Sequence, residues 1–378
     1  MKFNKKNPIH YLYFFYLGFN LVVVTLFIKL LNLKSKKNQL VLTGHYFNDN
    51  ILLIYQEIKK NSKLDPFYLT FSINDYRKLK KEISVLFIGN PIHLGRTLRS
   101  STFIVAMGLH LHKFLKKTYN FRSIYINHGL FTGDLYDLKL RKKYSTYDEI
   151  WHFSNFEKEI FKKNLLSYTT KQIVTGSPIT QYYNSKIQNL SPNKNKTCLI
   201  AFSNTNTEDF KNKKFSMNNP EFIGKLEELG SIFNINFILK PHPSSIFLTS
   251  IKKKISNSKY VKFLSTSSYS NLDYKFLSAD FMITDISSVY VHFLLVSKPI
   301  LFVSPENNIL ENANKLLLNS FIERCDDYKS FGHMISEIVE NNYEIDSKQL
   351  ELKNLIYDGL EIDKIFSNCL NRLDKQEL

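Results

Sequence analysis

The chain has 378 residues and 44.4 kDa, with 51 basic and 34 acidic residues and a formal charge of +17. At about 100–200 residues per domain that length predicts two domains. A content of 43% hydrophobic and 22% charged residues excludes both a disordered chain and a polytopic membrane protein. The three cysteines, Cys198, Cys325 and Cys369, are odd in number and form no CxxC pattern. They argue against a disulfide scaffold or a cysteine-built zinc site and for a reducing compartment.

The distribution of charge says more than its total. Of the basic residues 44 are lysine and seven arginine. Residues 1–150 carry 24 basic and 9 acidic groups, a net of +15, whereas residues 151–378 carry 27 and 25, a net of +2. Arginine, the usual reader of base edges, is scarce, and no helix-turn-helix, zinc-finger or RNP pattern is present. A nucleic-acid partner is therefore not expected. A basic surface facing an anionic membrane or a polyanionic substrate fits better.

From Ile9 to Ile28 twenty residues contain no Asp, Glu, Lys or Arg. As a helix this run is about 30 Å long, one hydrocarbon thickness. Tyr11, Tyr13 and Tyr16 sit near one end, and lysines flank both sides. No small-residue cleavage site follows, so an uncleaved anchor is expected, with a buried or interface-lying helix as the alternative. The flanking charge favours the C-terminal side as cytoplasmic. Residues 1–37 then form the anchor and its basic flanks, and everything beyond reads as soluble.

Short apolar runs follow, alternating with lysine-rich amphipathic stretches. Strands are expected at Gln39–Thr43, Pro66–Phe71, Ser84–Ile88, Thr102–Met107, Arg122–Asn127 and Glu149–Phe153, with helices at Asn50–Lys60 and Phe156–Leu166. A polar stretch, Asn189–Thr197, reads as a linker. The pattern restarts with strands at Cys198–Phe202, Asn236–Lys240, Tyr260–Leu264, Phe281–Thr284 and Pro299–Val303, and with helices at Pro220–Leu229 and Ser287–Val296. Most strands lack alternation, as strands buried on both faces do. The predicted fold is α/β: two doubly wound, Rossmann-type domains over residues 38–190 and 191–378, facing a cleft and preceded by the hydrophobic helix.

Ligands in such sheets bind beyond the carboxyl ends of strands. Four stretches stand there. Asn127-His128-Gly129 places an imidazole, suited to take a proton from a hydroxyl near neutral pH, beside a glycine that permits a close turn. Thr175-Gly176-Ser177-Pro178 is a turn signal. Lys240-Pro241-His242-Pro243 holds two cationic side chains on a proline-stiffened loop, fit for an anionic ligand. Thr284-Asp285-Ile286-Ser287-Ser288 puts hydroxyls and free backbone N–H groups where a strand enters a helix, an arrangement that serves phosphate binding and helix capping alike. Asp285 there orients the loop or a histidine rather than meeting a phosphate. His110 and His112 alternate without a third ligand, so no metal site is expected. Walker A, GxGxxG, GxSxG and HExxH patterns are all missing.

In order and spacing these stretches resemble the motifs of the CDP-glycerol glycerophosphotransferase family, the teichoic-acid primases and polymerases of bacterial envelopes. NHG at 127–129, GSP at 176–178, KPHP at 240–243, ITDISS at 283–288 and KPI at 298–300 carry the likeness, and FNDNILLIYQEI at 47–58 resembles the family's first helix. The resemblance implies a GT-B fold with an acceptor-side first domain and a nucleotide-donor second domain. It implies an activity that moves glycerol phosphate, or a related polyol phosphate, from a CDP-linked donor to a surface-polymer precursor, with CMP released. His128 would be the base, and His242 and Asp285 would complete the catalytic set. Lys240, His242, Ser287 and Ser288 would hold donor phosphate, while Gly129, Gly176, Pro241 and Pro243 would shape the loops. The implied partners are a CDP-polyol, an anionic or lipid-linked acceptor and an anionic membrane surface, at the cytoplasmic face of the cell membrane. No cofactor is firmly implied, and the need for a divalent cation stays open. Ile286, His292 and the stretch Ile179 to Tyr182 depart from the family pattern at positions that are commonly aromatic, acidic, and Arg with Asp. Those departures keep two alternatives in view: a nucleotide-sugar glycosyltransferase of capsule synthesis, and a degenerate binding subunit of a polymer-assembly complex.

Overall fold

The computed structural model describes residues 8–44, 47, 49–106, 115–116, 119–127, 142–164, 169–202, 214–241, 247–264, 274–285, 287–303, 321 and 323–374. The chain opens on helix α1 (Pro8–Leu30). It then runs through β1 (Lys36–Gly44), α2 (Asp49–Asn61), β2 (Asp65–Thr70), α3 (Ile73–Leu79), β3 (Val85–Phe87), α4 (Pro91–Leu98) and β4 (Ser100–Ala106). The first half continues with β5 (Arg122–Ile126), β6 (Glu149–His152), α5 (Asn155–Asn164), β7 (Lys171–Val174) and α6 (Pro178–Ile187). The second half begins with β8 (Lys196–Ala201), α7 (Pro220–Phe233), β9 (Ile235–Leu239), α8 (Thr249–Ser256) and β10 (Val261–Phe263). It continues with β11 (Phe281–Thr284), α9 (Val289–Phe293), β12 (Ile300–Val303), β13 (Arg324–Cys325), α10 (Tyr328–Glu340), α11 (Ser347–Ile356) and α12 (Ile365–Asp374).

The strands form two wholly parallel sheets, ordered β3-β2-β1-β4-β5-β6-β7 and β10-β9-β8-β11-β12-β13. Each winds outward from a central pair, so strand order reverses between β1 and β4 in the first sheet and between β8 and β11 in the second. Those switch points are where crevices open in doubly wound folds. Registers are plain: Leu40–Gly44 pair with Thr102–Ala106, and Cys198–Ala201 with Phe281–Thr284.

Sequence explains why both faces are covered. In β1, Leu40 and Leu42 join one core with Ile51, Ile54 and Ile58 of α2, while Val41 joins another with Leu94 and Leu98 of α4. In β8, Leu199 and Ala201 face one layer and Cys198 and Ile200 the other. Continuous apolar runs therefore supply two helix layers each, as parallel sheets require. Caps fix the helix ends: Asn219 accepts from the Glu221 N–H ahead of Pro220, and Asp327 accepts from the Lys329 and Ser330 N–H groups.

All eleven expected strands occur. The structure adds β7, of which sequence marked only the end, and the two-residue β13, too short to leave a pattern. The helix expected at Ser287–Val296 is shorter: α9 has five residues and passes into a 3-10 turn at Leu294–Val296. The last helix returns to the first sheet, where Ile365, Cys369 and Leu373 enter the core beside α2. Arg122 of β5 clamps that return. It bonds both carboxylate oxygens of Glu149 at 2.8 and 2.9 Å and the Arg372 carbonyl at 2.8 Å.

Candidate functional site

The four motifs all stand at carboxyl ends of strands. β5 leads into Asn127, β7 into Thr175–Pro178, β9 into Lys240-Pro241, and β11 into Asp285, Ser287 and Ser288. His128, Gly129, His242, Pro243 and Ile286 lie outside the described residues, as do His110 and His112.

In the first half the strand ends are tied by a buried polar network with Asn50 at its hub. Asn50 sits in the first turn of α2 and is 2% exposed. Its Oδ1 accepts from Ser177 Oγ at 2.9 Å and from the Ile179 N–H at 3.0 Å, while its Nδ2 donates to the Asn127 carbonyl at 3.1 Å. The Asn127 side chain in turn donates to Glu157 Oε1 at 2.7 Å, and Glu157 Oε2 accepts from the Phe153 N–H at 2.6 Å. Glu157 is wholly buried, with the Nδ1 of buried His152 at 3.5 Å. An interior carboxylate is tolerated only when such donors surround it. The ends of β5 and β6 and the starts of α2, α5 and α6 are thus held to one another through Asn50, Asn127 and Glu157.

Gly176 completes this corner. Its φ is +79°, and a Cβ there would come within 2.6 Å of the Ile365 side chain, so glycine is needed for both conformation and space. The Thr175 and Gly176 N–H groups both donate to the His152 carbonyl. The turn signal seen in sequence is therefore part of the same lock.

The second half is arranged differently. The Lys240 N–H continues the sheet ladder to the Ile200 carbonyl at 2.8 Å. Beyond it a cavity of about 650 Å³ opens beside Pro241, lined also by Phe247, Lys252, Lys262 and Phe263. At the switch point, Asp285 Oδ1 accepts from the Ser287 N–H at 3.0 Å, fixing the turn into α9. Ser288 occupies the cap position without a side-chain capping bond. Of the two uses that sequence left open for these serines, capping is therefore not made by Ser288.

The halves meet through α6 and Tyr357. Ile179 and Tyr183 of α6 are buried in the core shared with Leu199, Phe276 and α9, and the Tyr183 ring meets the His292 ring edge-on at 5.3 Å. Tyr357 packs near Phe153 and donates its hydroxyl to the Val291 carbonyl. Of the positions that sequence marks as departures, Ile179 and His292 are buried in this packing, whereas Gln181 donates to the Asp363 carbonyl and accepts from the Phe366 N–H.

Asn50, Asn127 and Glu157 were not singled out as site residues from sequence. Their signals were local: an Asn in the FNDN run at a helix start, and a Glu in the first turn of the helix after β6. Neither says what it will bond. The three cysteines are all buried, and burial pushes the Cys369 thiol up to about 12 and the Cys198 thiol well above its usual range, which leaves no nucleophilic thiolate. Among the described residues no three of His, Cys, Asp and Glu gather to hold a metal ion.

Comparison with known proteins follows the same lines. The model of the CDP-glycerol:poly(glycerophosphate) glycerophosphotransferase family matches residues 25–354. The wall teichoic acid polymerase TagF superposes with a TM-score of 0.65 at 14% identity, over 94% of this chain and 97% of that one. Anabaena HepE, solved with UDP and glucose, superposes at 0.53 with 11% identity, over 89% and 99%. The UDP-GlcNAc 2-epimerase of Methanocaldococcus jannaschii does so at 0.51 with 12% identity, over 84% and 99%. These structural likenesses concern the fold, and it is the GT-B-like α/β fold expected. Comparison with curated proteins gives no match.

Proposed function

The chain belongs to the CDP-glycerol:poly(glycerophosphate) glycerophosphotransferase family, and on that premise we propose that it moves glycerol phosphate, or a related polyol phosphate, from a CDP-linked donor to a cell-surface polymer precursor. An acceptor hydroxyl attacks the β-phosphorus of the donor. The new P–O bond forms as the bond to CMP breaks, CMP leaves as a phosphate, and the hydroxyl proton passes to His128. Because that leaving group is already acidic, the protein's work is positioning and charge stabilisation rather than acid assistance.

The roles divide between the halves. His128 follows Asn127, whose carbonyl and side chain are both held, so its loop leaves a fixed strand end. Lys240 and His242 take the donor pyrophosphate. Ser287 and Ser288 offer their hydroxyls to phosphate oxygens, while Asp285 keeps the turn in shape through its bond to the Ser287 N–H. The excess of basic charge in residues 1–150 suits an anionic acceptor, and the hydrophobic first helix suits work at the cytoplasmic face of the membrane.

The observation that carries this reading is the ITDISS junction at the switch point between β8 and β11, inside a family match that spans both sheets. The test is CMP release from CDP-glycerol and CDP-ribitol with a polyol-phosphate acceptor. Consumption of a UDP-sugar with no turnover of either CDP-polyol would replace the reading by glycosyl transfer. Tight nucleotide binding with no turnover of any donor would replace it by a binding role.

A further inference from the structure

The second half is nearly neutral as a whole, yet its positive charge is gathered on one edge. Residues 229–272 contain six lysines and no Asp or Glu, while the rest of 151–378 carries 21 basic and 25 acidic groups. Five of the six, Lys252, Lys253, Lys254, Lys259 and Lys262, lie on α8, on the turn after it and on β10, and all five are exposed. β10 is the terminal strand of the second sheet, so this patch occupies the sheet's outer edge. Lys254 is spent on the Pro220 carbonyl at 2.7 Å, and Lys259 lies over the Tyr260 ring. Lys252, Lys253 and Lys262 make no ion pair among the described residues.

The cavity beside Pro241 opens along this same edge. To its lining α8 contributes Lys252 and Ile255, and β10 contributes Lys262 and Phe263. Phe247 meets Phe263 edge-on with ring centroids 4.9 Å apart, and Ile255 is buried, so the interior is apolar beneath two cationic side chains. The lining runs from Ser258, just ahead of β10, to Pro241, just beyond the carboxyl end of β9. It is therefore a groove along the edge strand, about 10 Å for three residues, with its head at the Lys240-Pro241 loop.

Charge and position select the ligand. A cluster of like charges without a single acid repels itself and is relieved by an anion. A nucleobase carries no charge at neutral pH and has no use for lysines spread over a helix and a strand. The donor pyrophosphate is assigned to the switch point, and β10 lies two strand spacings from β8, about 10 Å away. Cations strung along α8 and β10 instead match a ligand whose negative charge repeats along its length. Lysine serves such a chain as a point charge for each phosphate.

We propose that the groove between α8 and β10 holds a phosphodiester chain, namely the repeats already built onto the acceptor, while its growing end lies in the cleft. Phosphates meet Lys252, Lys253 and Lys262, and the carbon skeleton of the repeats lies against Phe247 and Phe263. Affinity then rises with chain length, because a second point of attachment on the same molecule adds to the first. A one-repeat acceptor reaches the cleft alone and gains nothing from the groove. The identity of the chain as acceptor rests on the phosphotransferase reading; the polyanion site does not.

Two measurements on the full chain decide this, with a long poly(glycerol phosphate) chain as probe and a one-repeat acceptor beside it. In equilibrium binding, Lys252→Glu with Lys262→Glu weakens the long chain about tenfold. Lys329→Glu with Lys348→Glu, the same charge change at exposed sites elsewhere in the second half, weakens it far less. In CMP release, the groove pair raises KM for the long chain about tenfold more than KM for the one-repeat acceptor. Equal weakening by the control pair would reduce the effect to net charge and overturn the proposal. So would unchanged chain binding in the groove pair, or a donor KM that rises while chain binding holds, which would give the cavity to the nucleotide. If the groove pair does not fold, Lys252→Gln with Lys262→Gln reads the same two comparisons. No CMP release from any CDP-polyol, while groove-dependent chain binding persists, would remove the proposed function and leave the polyanion site.

Discussion

The two halves carry their polar residues in opposite ways. At the carboxyl edge of the first sheet, Asn50, Asn127, Ser177 and Glu157 spend their hydrogen bonds on one another, and Asn50 and Glu157 are almost wholly buried. At the edge of the second sheet, Asp285 accepts from the Ser287 N–H in a local turn, Ser288 makes no side-chain capping bond, and a cavity lined by Phe247, Lys252, Lys262 and Phe263 opens beside Pro241. The first edge is tied by its own long-range hydrogen bonds; at the second the bonds seen are local, which is where the proposed donor site falls. That division suits phosphoryl transfer, in which a base must be aimed in advance while the nucleotide supplies charge that the protein meets with donors.

The largest effect that bears on this contrast is at His128. His128→Ala should lower kcat by about 10²–10⁴, the usual worth of a positioned base, with melting temperature and donor KM unchanged. Full activity in that variant would remove the base from the ordered edge and with it the reason for the order. Glu157→Ala should act next, and on stability first. It strips partners from the Asn127 side chain and the Phe153 N–H, a loss of about 3 kcal/mol in denaturant melts. Glu157→Gln keeps one acceptor, so it should recover most of that stability. A kcat that stays low in the folded Gln variant would show that the network aims the loop as well as stabilising it.

The second edge should respond in the reverse sense. Ser287→Ala and Ser288→Ala should each raise donor KM by about tenfold, near 1.4 kcal/mol, with kcat and melting temperature little altered. If instead either variant melts early and binds donor normally, the serines are structural and the contrast between the edges fails.

How much of this was legible in sequence depends on range. The apolar runs of β1, β4, β8 and β11 gave both sheets, because parallel strands buried on two faces leave a continuous local pattern. β13 left none, since two residues carry no period. The motif loops were found because histidine, glycine, proline and serine at strand ends are chemically unusual there. Asn50 and Glu157 were not, because their meaning is in partners 77 and 127 residues away for Asn50 and 30 away for Glu157. The helix at Pro8–Leu30 was legible as hydrophobic and not as docked: a spanning helix and one lying on a protein share a composition, and only Tyr13, Tyr16 and Val24 with their contacts separate them.

The smallest effect concerns pH and distinguishes the halves once more. Asp148 lies in the first half, in the turn before β6. Burial would raise its carboxyl, but the Lys116 ammonium and the Ser123 N–H and hydroxyl outweigh it and hold the group below its usual 3.8. A carboxyl lowered in the folded state stabilises the fold fully above its unfolded pKa, and that contribution is lost as pH falls through the folded value. The side chain is 45% exposed, so solvent screening keeps the contribution within about 1 kcal/mol. Melting temperature should therefore be flat near neutrality and fall below about pH 4. Asp148→Asn should lower it slightly at pH 7 and make the acid-side slope shallower. An unchanged slope in that variant would place the acid-sensitive group elsewhere.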